Sequence, residues 1–236
     1  MKHFCLISLF FFWIIPAAFS QPQTLYEIKS VIDFFNSHKL QQGDLKSVLV
    51  ESDIEGSPYL SDDFVDGSLY TTSKTRYDGV AIRYNVYNEQ VEIRSDDGQV
   101  LGLAVPDVIE RLEFGGYQLE NVAYSSAKKV KKGFLVVLEK GYASLYSGPR
   151  VQFIDTKPAG AYQDSQPAKF VKRPDEYFIK VGKDPARIIS KTKDIVAQFP
   201  DHQKEVAAFI KKNKVRINQP ESLKELIQYY NNQLRQ

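Results

Sequence analysis

Cysteine, methionine and tryptophan each occur once in this chain of 236 residues, as Cys5, Met1 and Trp13. Everything after residue 20 therefore lacks thiol, thioether and indole. Disulfide staples, thiolate metal sites and a cysteine nucleophile are excluded there. Histidine is nearly as scarce, since only His38 and His202 follow residue 20. Neither has a second histidine close enough along the chain to make a metal-binding pair on a helix or strand. His38, beside Lys39, suits the free carbonyls of a helix end, and His202 suits a solvated first turn. There is no Gly-x-Ser-x-Gly elbow and no phosphate-cradling loop, because Gly115-Gly116 is followed by Tyr117 instead of a lysine and a helix. No catalytic residue, cofactor or metal ligand is assigned.

Charge of one sign is also lacking overall. The formal net charge is +2, which argues against nucleic acid as a partner. The distribution is uneven: residues 21–167 carry 15 basic and 21 acidic side chains, and residues 168–236 carry 15 and 8. Such asymmetry speaks to partners and not to fold.

The one long apolar run, residues 4–15, follows Lys2 and His3 and precedes Pro16 and Ala18-Phe19-Ser20. This is the three-part layout of a cleavable secretory signal peptide over residues 1–20, with the cut expected before Gln21. The run is short of the ~20 apolar residues of a membrane span. Cys5 lies at its start, the wrong end for a lipidated cysteine. After cleavage no transmembrane helix is expected, and the protein is expected in the periplasm, at the outer membrane or outside the cell. Burial alone must stabilise it, and a chain of this size buries roughly 70% of the surface its unfolded form exposes.

Thr24-Leu25-Tyr26-Glu27 fits a capping box, and Leu25, Ile28, Ile32 and Phe35 recur at helical spacing. An N-terminal helix is expected to about Asn36. From Ser47 the pattern becomes short runs of valine, isoleucine, tyrosine and phenylalanine between turn residues. In residues 81–87, Ile82, Tyr84 and Val86 alternate with Arg83, Asn85 and Tyr87, as a half-buried strand requires. Asn88-Glu89 turns this strand back, and Asp96-Asp97-Gly98 supplies a second hairpin turn. Further strands are expected over 108–114, 117–124, 133–138, 142–146, 150–154, 169–171 and 177–181. Short turns leave no room for parallel crossovers, which excludes a nucleotide-binding α/β sheet. A loop over 157–167 separates the last two strands from the others.

Asp184-Pro185 then opens a helical pattern with Ile188, Ile189, Ile195, Val196 and Phe199 on one stripe. Pro200-Asp201 and Pro220-Glu221 start two more helices, with Lys211, Lys212 and Lys214 suiting the end of the first of these. The fold expected is α+β: an N-terminal helix, an antiparallel β meander of eight to ten strands curved into a sandwich or open barrel, and a C-terminal three-helix segment. The divisions are 1–20, signal peptide; 21–182, β domain with its N-terminal helix; and 183–236, a basic helical segment packed on it.

Gly56-Ser57-Pro58-Tyr59-Leu60, Val65-Asp66-Gly67, Leu69, Arg83-Tyr84-Asn85 and Tyr87, with Phe199-Pro200-Asp201 and Tyr229-Tyr230-Asn231, resemble an uncharacterised family of exported proteins of Bacteroidota-type bacteria. The resemblance covers most of the chain after residue 20. It implies a bacterial source and an envelope or extracellular location, and brings no activity or site residue.

Tyrosine offers a broad apolar face with a polar tip, suited to glycans and protein interfaces as well as to a plain sheet. Tyr84, Tyr87, Tyr117 and Tyr124 are the candidate ligand-binding residues. Lys128, Lys129, Lys131 and Lys132 are the candidate contact with an anionic surface, against the alternative of lysines guarding an exposed strand. The aspartates and glutamates among residues 53–66 do not match a calcium loop. The function expected is a non-catalytic envelope module that binds or scaffolds a protein or glycan. The alternatives are an exported hydrolase using carboxylates such as Glu92 or Glu113, and an outer-membrane β-barrel.

Overall fold

A computed structural model of the protein describes residues 25–27, 54–103, 106–126, 129–159 and 164–234. Residues 1–20, expected to be a signal peptide, and most of the expected N-terminal helix lie outside the described residues. Twelve strands run in chain order as β1 Leu25–Glu27, β2 Ile54–Glu55, β3 Val65–Thr71, β4 Arg76–Asn85, β5 Gln90–Arg94, β6 Val100–Leu103, β7 Ile109–Phe114, β8 Tyr117–Ser126, β9 Lys129–Glu139, β10 Ala143–Ile154, β11 Ala168–Val181 and β12 Ala186–Ile189. Three helices follow: α1 Thr192–Val196, α2 Gln203–Asn213 and α3 Pro220–Tyr229. The fold is mostly β, with its helices gathered at the C-terminal end.

One sheet runs β1-β6-β5-β4-β3-β7-β8, and β8 then joins a closed ring with β9, β10, β11 and β12. Nearly every pairing is antiparallel, as the short turns dictate. Gly115 and Gly116 have φ of +57° and +79° and make the two-residue turn joining Phe114 to Tyr117, the conformation a tight hairpin demands. Gly98, at φ +86°, closes the β5–β6 hairpin by donating to the Ser95 carbonyl at 2.9 Å.

Two short parallel pairings depart from the expected meander. Ala186 and Arg187 lie beside Tyr124 and Ser125, which closes the five-stranded barrel, and β2 pairs with the start of β11. The second chain segment of each pair arrives after a long excursion through other strands, so no helical crossover is needed.

Three further expectations are corrected. Leu25–Glu27 is a strand paired with β6 and not the first turn of a helix. The helical stripe assigned from Asp184 begins later, because Ala186–Ile189 is a strand whose Ala186 and Ile188 pack on the barrel interior while Ile189 packs under the helices. Short apolar runs satisfy both periods, and here the open place in the ring decides. The segments 169–171 and 177–181 are one strand, as are 142–146 and 150–154, the latter interrupted by an irregularity between Gly148 and Arg150.

Alternation along the strands builds three cores. Val122, Tyr124, Leu135, Tyr146, Phe178 and Ala186 fill the barrel, as expected of so small a ring. Outward-facing Phe134 and Val136 of β9 join Ile82, Tyr84, Leu112 and Leu119 of the first sheet. Outward-facing Ala143, Leu145, Ile179 and Ile189 are covered by Ile195, Phe199, Val206, Leu223, Leu226 and Ile227. No helix among the described residues is long and apolar enough to cross a membrane.

The strings that carry the family resemblance hold these layers together. Gly56, at φ +75°, lies against the Phe170 backbone, where a β carbon would approach the carbonyl oxygen to 2.3 Å. Pro58 O accepts from Val86 N–H at 2.8 Å, and Leu60 N–H donates to Tyr84 O at 3.0 Å. Phe199 packs on Tyr230 with ring centroids 4.4 Å apart.

Candidate functional site

The first sheet meets the barrel at the β10 irregularity. A β carbon on Gly148 would stand 2.9 Å from Phe178 Cε2, so glycine is needed for the barrel-filling ring to approach the backbone. Pro149 cannot donate to a ladder, which fits a bulge and not a regular strand. The chain bends here and opens clefts on either side of Arg150.

One cleft, of about 220 Å³, is lined by Tyr84, Tyr87, Glu89, Tyr124, Lys131 and Glu176, with Phe134 and Phe178 among its walls. A second, of about 290 Å³, is lined by Tyr59, Tyr117, Ser147, Lys172, Arg173 and Asp175. Val86, Pro149, Arg150 and Val151 border both. A third, of about 410 Å³, adds Phe153 beside Tyr87, Arg150 and Arg173.

Their polar groups differ. In the first cleft the two acids face two cations: Lys131 Nζ lies 3.2 Å from Glu89, and Arg150 Nη1 lies 2.9 Å from Glu176. Tyr84 is only 3% exposed, and its hydroxyl has no hydrogen-bond partner among the described residues. Burial pushes the hydroxyls of Tyr84 and Tyr124 up, so both are protonated donors. In the second cleft Asp175 is the only acid among the described lining residues, and it already accepts from Ser147 Oγ at 2.5 Å. Arg173 donates to Gln152 at 2.6 Å and 2.9 Å, while Lys172 is exposed and has no partner among the described residues. The second cleft thus combines aliphatic walls, among them Leu60, Val136 and Leu138, with two tyrosines and cationic side chains.

Three of the four candidate tyrosines, Tyr84, Tyr87 and Tyr124, therefore share one cleft, and Tyr117 lines its neighbour. Tyr84 and Tyr124 are also core residues, in edge contact with Phe134 and Phe178 respectively.

The lysine candidates do not form one patch. Lys128 lies outside the described residues. Lys129 is exposed on β9, Lys131 turns to Glu89 and the Tyr124 ring, and Lys132 pairs with Asp107 at 2.9 Å. Strand alternation sends neighbouring lysines to opposite faces.

The carboxylates singled out for hydrolysis are engaged elsewhere. Glu92 is 1% exposed and accepts from Arg83 Nη2 at 2.6 Å and Nε at 3.0 Å. Arg83 is itself stacked on Tyr59 and Phe64, 3.7 Å and 4.3 Å from their centroids. Glu113 accepts from the Tyr70 hydroxyl at 2.9 Å.

His202 sits 5.9 Å from the Tyr230 ring, and His38 and Asp53 lie outside the described residues. Among the described residues no group of histidine, cysteine, aspartate and glutamate side chains is arranged to hold a metal.

Sequence reasoning missed Glu89, Arg150, Lys172, Arg173 and Glu176. The available signal was Gly148-Pro149 inside an otherwise strand-like run, which marks a bulge and a close backbone approach. Compared with known proteins, the chain matches no family model, no curated protein and no solved structure.

Proposed function

We propose that this chain is a non-catalytic exported binding module of the bacterial envelope or its exterior, and that the clefts around Arg150 hold its ligand. One observation carries this reading. Tyrosines from separate strands converge on clefts that share Arg150, and one of them, Tyr84, on a buried ring, has a hydroxyl without a hydrogen-bond partner among the described residues. Concave, largely preformed sites with a few convergent polar groups are the usual form of a ligand site, and a hydroxyl left unused by the protein is a donor that a ligand can take up.

Residues 1–20 and the resemblance to exported bacterial proteins support export. Binding is favoured over hydrolysis because Glu92 and Glu113 are tied to Arg83 and Tyr70. A water-surrounded barrel is favoured over a lipid-surrounded one because its outward faces pack against the first sheet and the helices, whereas membrane barrels turn an apolar band to lipid and have eight strands or more. The partner is an envelope protein or glycan, with the lysines of α2 available to a neighbouring anionic surface.

Site-specific photo-crosslinking in envelope fractions tests this. A photoreactive phenylalanine at position 87, in the clefts, is expected to capture a specific component. The same group at position 77, 53% exposed on β4, is expected to capture none. Equal capture from both positions would remove the clefts as the binding site.

A further inference from the structure

We propose that the ligand of these clefts is an acidic glycan, whose carboxylate or sulfate is taken by Arg150, Lys172 and Arg173 and whose hydroxyls are taken by Tyr84, Glu89 and Glu176. This deepens the binding-module reading and rests on it.

The two clefts present different chemistry to the two ends of one ligand. In the first, the Glu89–Lys131 and Arg150–Glu176 pairs balance each other in charge and mix donors with acceptors. Such a set suits neutral hydroxyl groups, which donate and accept at once. The Tyr84 hydroxyl adds a donor that has no partner among the described residues. The space, about 220 Å³, is below the roughly 300–1,000 Å³ of a drug-sized pocket, and accommodates a small polar ring.

In the second cleft Lys172 and Arg173 stand, among the described lining residues, against a single acid that is already engaged, and Arg150, paired with Glu176, borders it. Guanidinium and ammonium groups grouped this way recognise carboxylate or sulfate. Tyr117 is 38% exposed at this wall, and Tyr87 borders the first and third clefts. Their flat faces suit the apolar face of a sugar ring, and their tips remain wet.

Calorimetric titration of the chain from residue 21 to 236 tests the proposal. The probes are a panel of short hexuronate oligosaccharides, the carboxyl-reduced neutral counterpart of each, and a polyglutamate peptide. We expect a hexuronate to bind and its reduced counterpart to bind at least about tenfold more weakly, the loss of one charge-assisted contact set. Lys172→Glu/Arg173→Glu, at two exposed positions, is expected to abolish this preference. Tyr84→Phe is expected to weaken acidic and neutral ligands alike, with circular dichroism confirming that both variants fold.

Neutral binding as tight as acidic binding would overturn the acidic class and leave the clefts as the site. Hexuronate binding unaffected by either variant would overturn the site as well. Binding of polyglutamate alone, or of no probe, would overturn the glycan.

Discussion

Asn231 holds Ala143 by both polar groups of its backbone: the Ala143 N–H donates to Asn231 Oδ1 at 2.9 Å, and Asn231 Nδ2 donates to Ala143 O at 2.9 Å. A side-chain amide thus acts as a strand partner at the start of β10 and ties the C-terminal helices to the barrel. Ala143 is fully buried, so both groups would otherwise lack water. Asn231→Ala should cost about 1–3 kcal/mol of stability, read as a lower midpoint in urea. Asn231→Asp keeps the acceptor and loses the donor, and its midpoint should fall between those of the native chain and Asn231→Ala.

Arg83 and Glu92 make the deepest ion pair among the described residues, with side chains 19% and 2% exposed. Removing the cation strands a buried carboxylate, so Arg83→Leu should cost about 3–5 kcal/mol. Replacing both side chains at once, as Arg83→Leu/Glu92→Leu, should recover most of that loss, since well-packed apolar replacements of buried pairs are often neutral. Equilibrium unfolding of the single and double variants measures the coupling.

Burial raises the hydroxyl of Tyr146, which also faces Glu120 and donates to it at 2.9 Å; burial likewise raises Tyr84. Below the ordinary tyrosine value of about 10, both folded and unfolded states keep these protons, and stability does not depend on them. Above it the unfolded chain releases protons that the folded chain retains. Stability should therefore fall with rising pH above that value, by up to about 1.4 kcal/mol per pH unit for each tyrosine. Urea midpoints measured from neutral to strongly alkaline pH check this, and Tyr146→Phe should give a shallower alkaline slope.

Gly67 crosses Glu113 so closely that a β carbon would stand 2.2 Å from its carbonyl oxygen. The obstacle is backbone, which cannot swing aside. Gly67→Ala should destabilise by about 1–3 kcal/mol, whereas Gly98→Ala, with open space around it, should cost only the strain of its positive φ. Thermal midpoints of the two variants separate crowding from conformation.

The sheet was legible where chemistry is local. Ile82, Arg83 and Tyr84 alternate by burial, and Gly98 and Gly115-Gly116 sit in the turns their type suggests. The last two helices begin at Pro200 and Pro220 as their prolines indicate, the first of them with a short 3₁₀ turn. Closure was not legible, because it depends on Ala186 meeting Tyr124 from far along the chain. Ile188-Ile189 satisfies a helical stripe and a strand equally, and the open place beside β8 is a tertiary fact. The clefts were half legible. Tyrosines on strands announced themselves by type, but Glu89, Arg150 and Glu176 become neighbours only through a bulge and a closed ring.

Whether the Tyr84 hydroxyl belongs to a binding site is tested most directly by urea denaturation of Tyr84→Phe beside the native chain, with and without a saturating hexuronate oligosaccharide. Removing a hydroxyl that makes no hydrogen bond among the described residues should leave the free chain as stable as before or up to about 1–2 kcal/mol more stable. A ligand that binds only the folded state raises the midpoint, and the variant should gain less from it than the native chain. A variant that unfolds earlier in the free state and gains as much from the ligand would show that Tyr84 serves the core alone, and would contradict its place in a binding site.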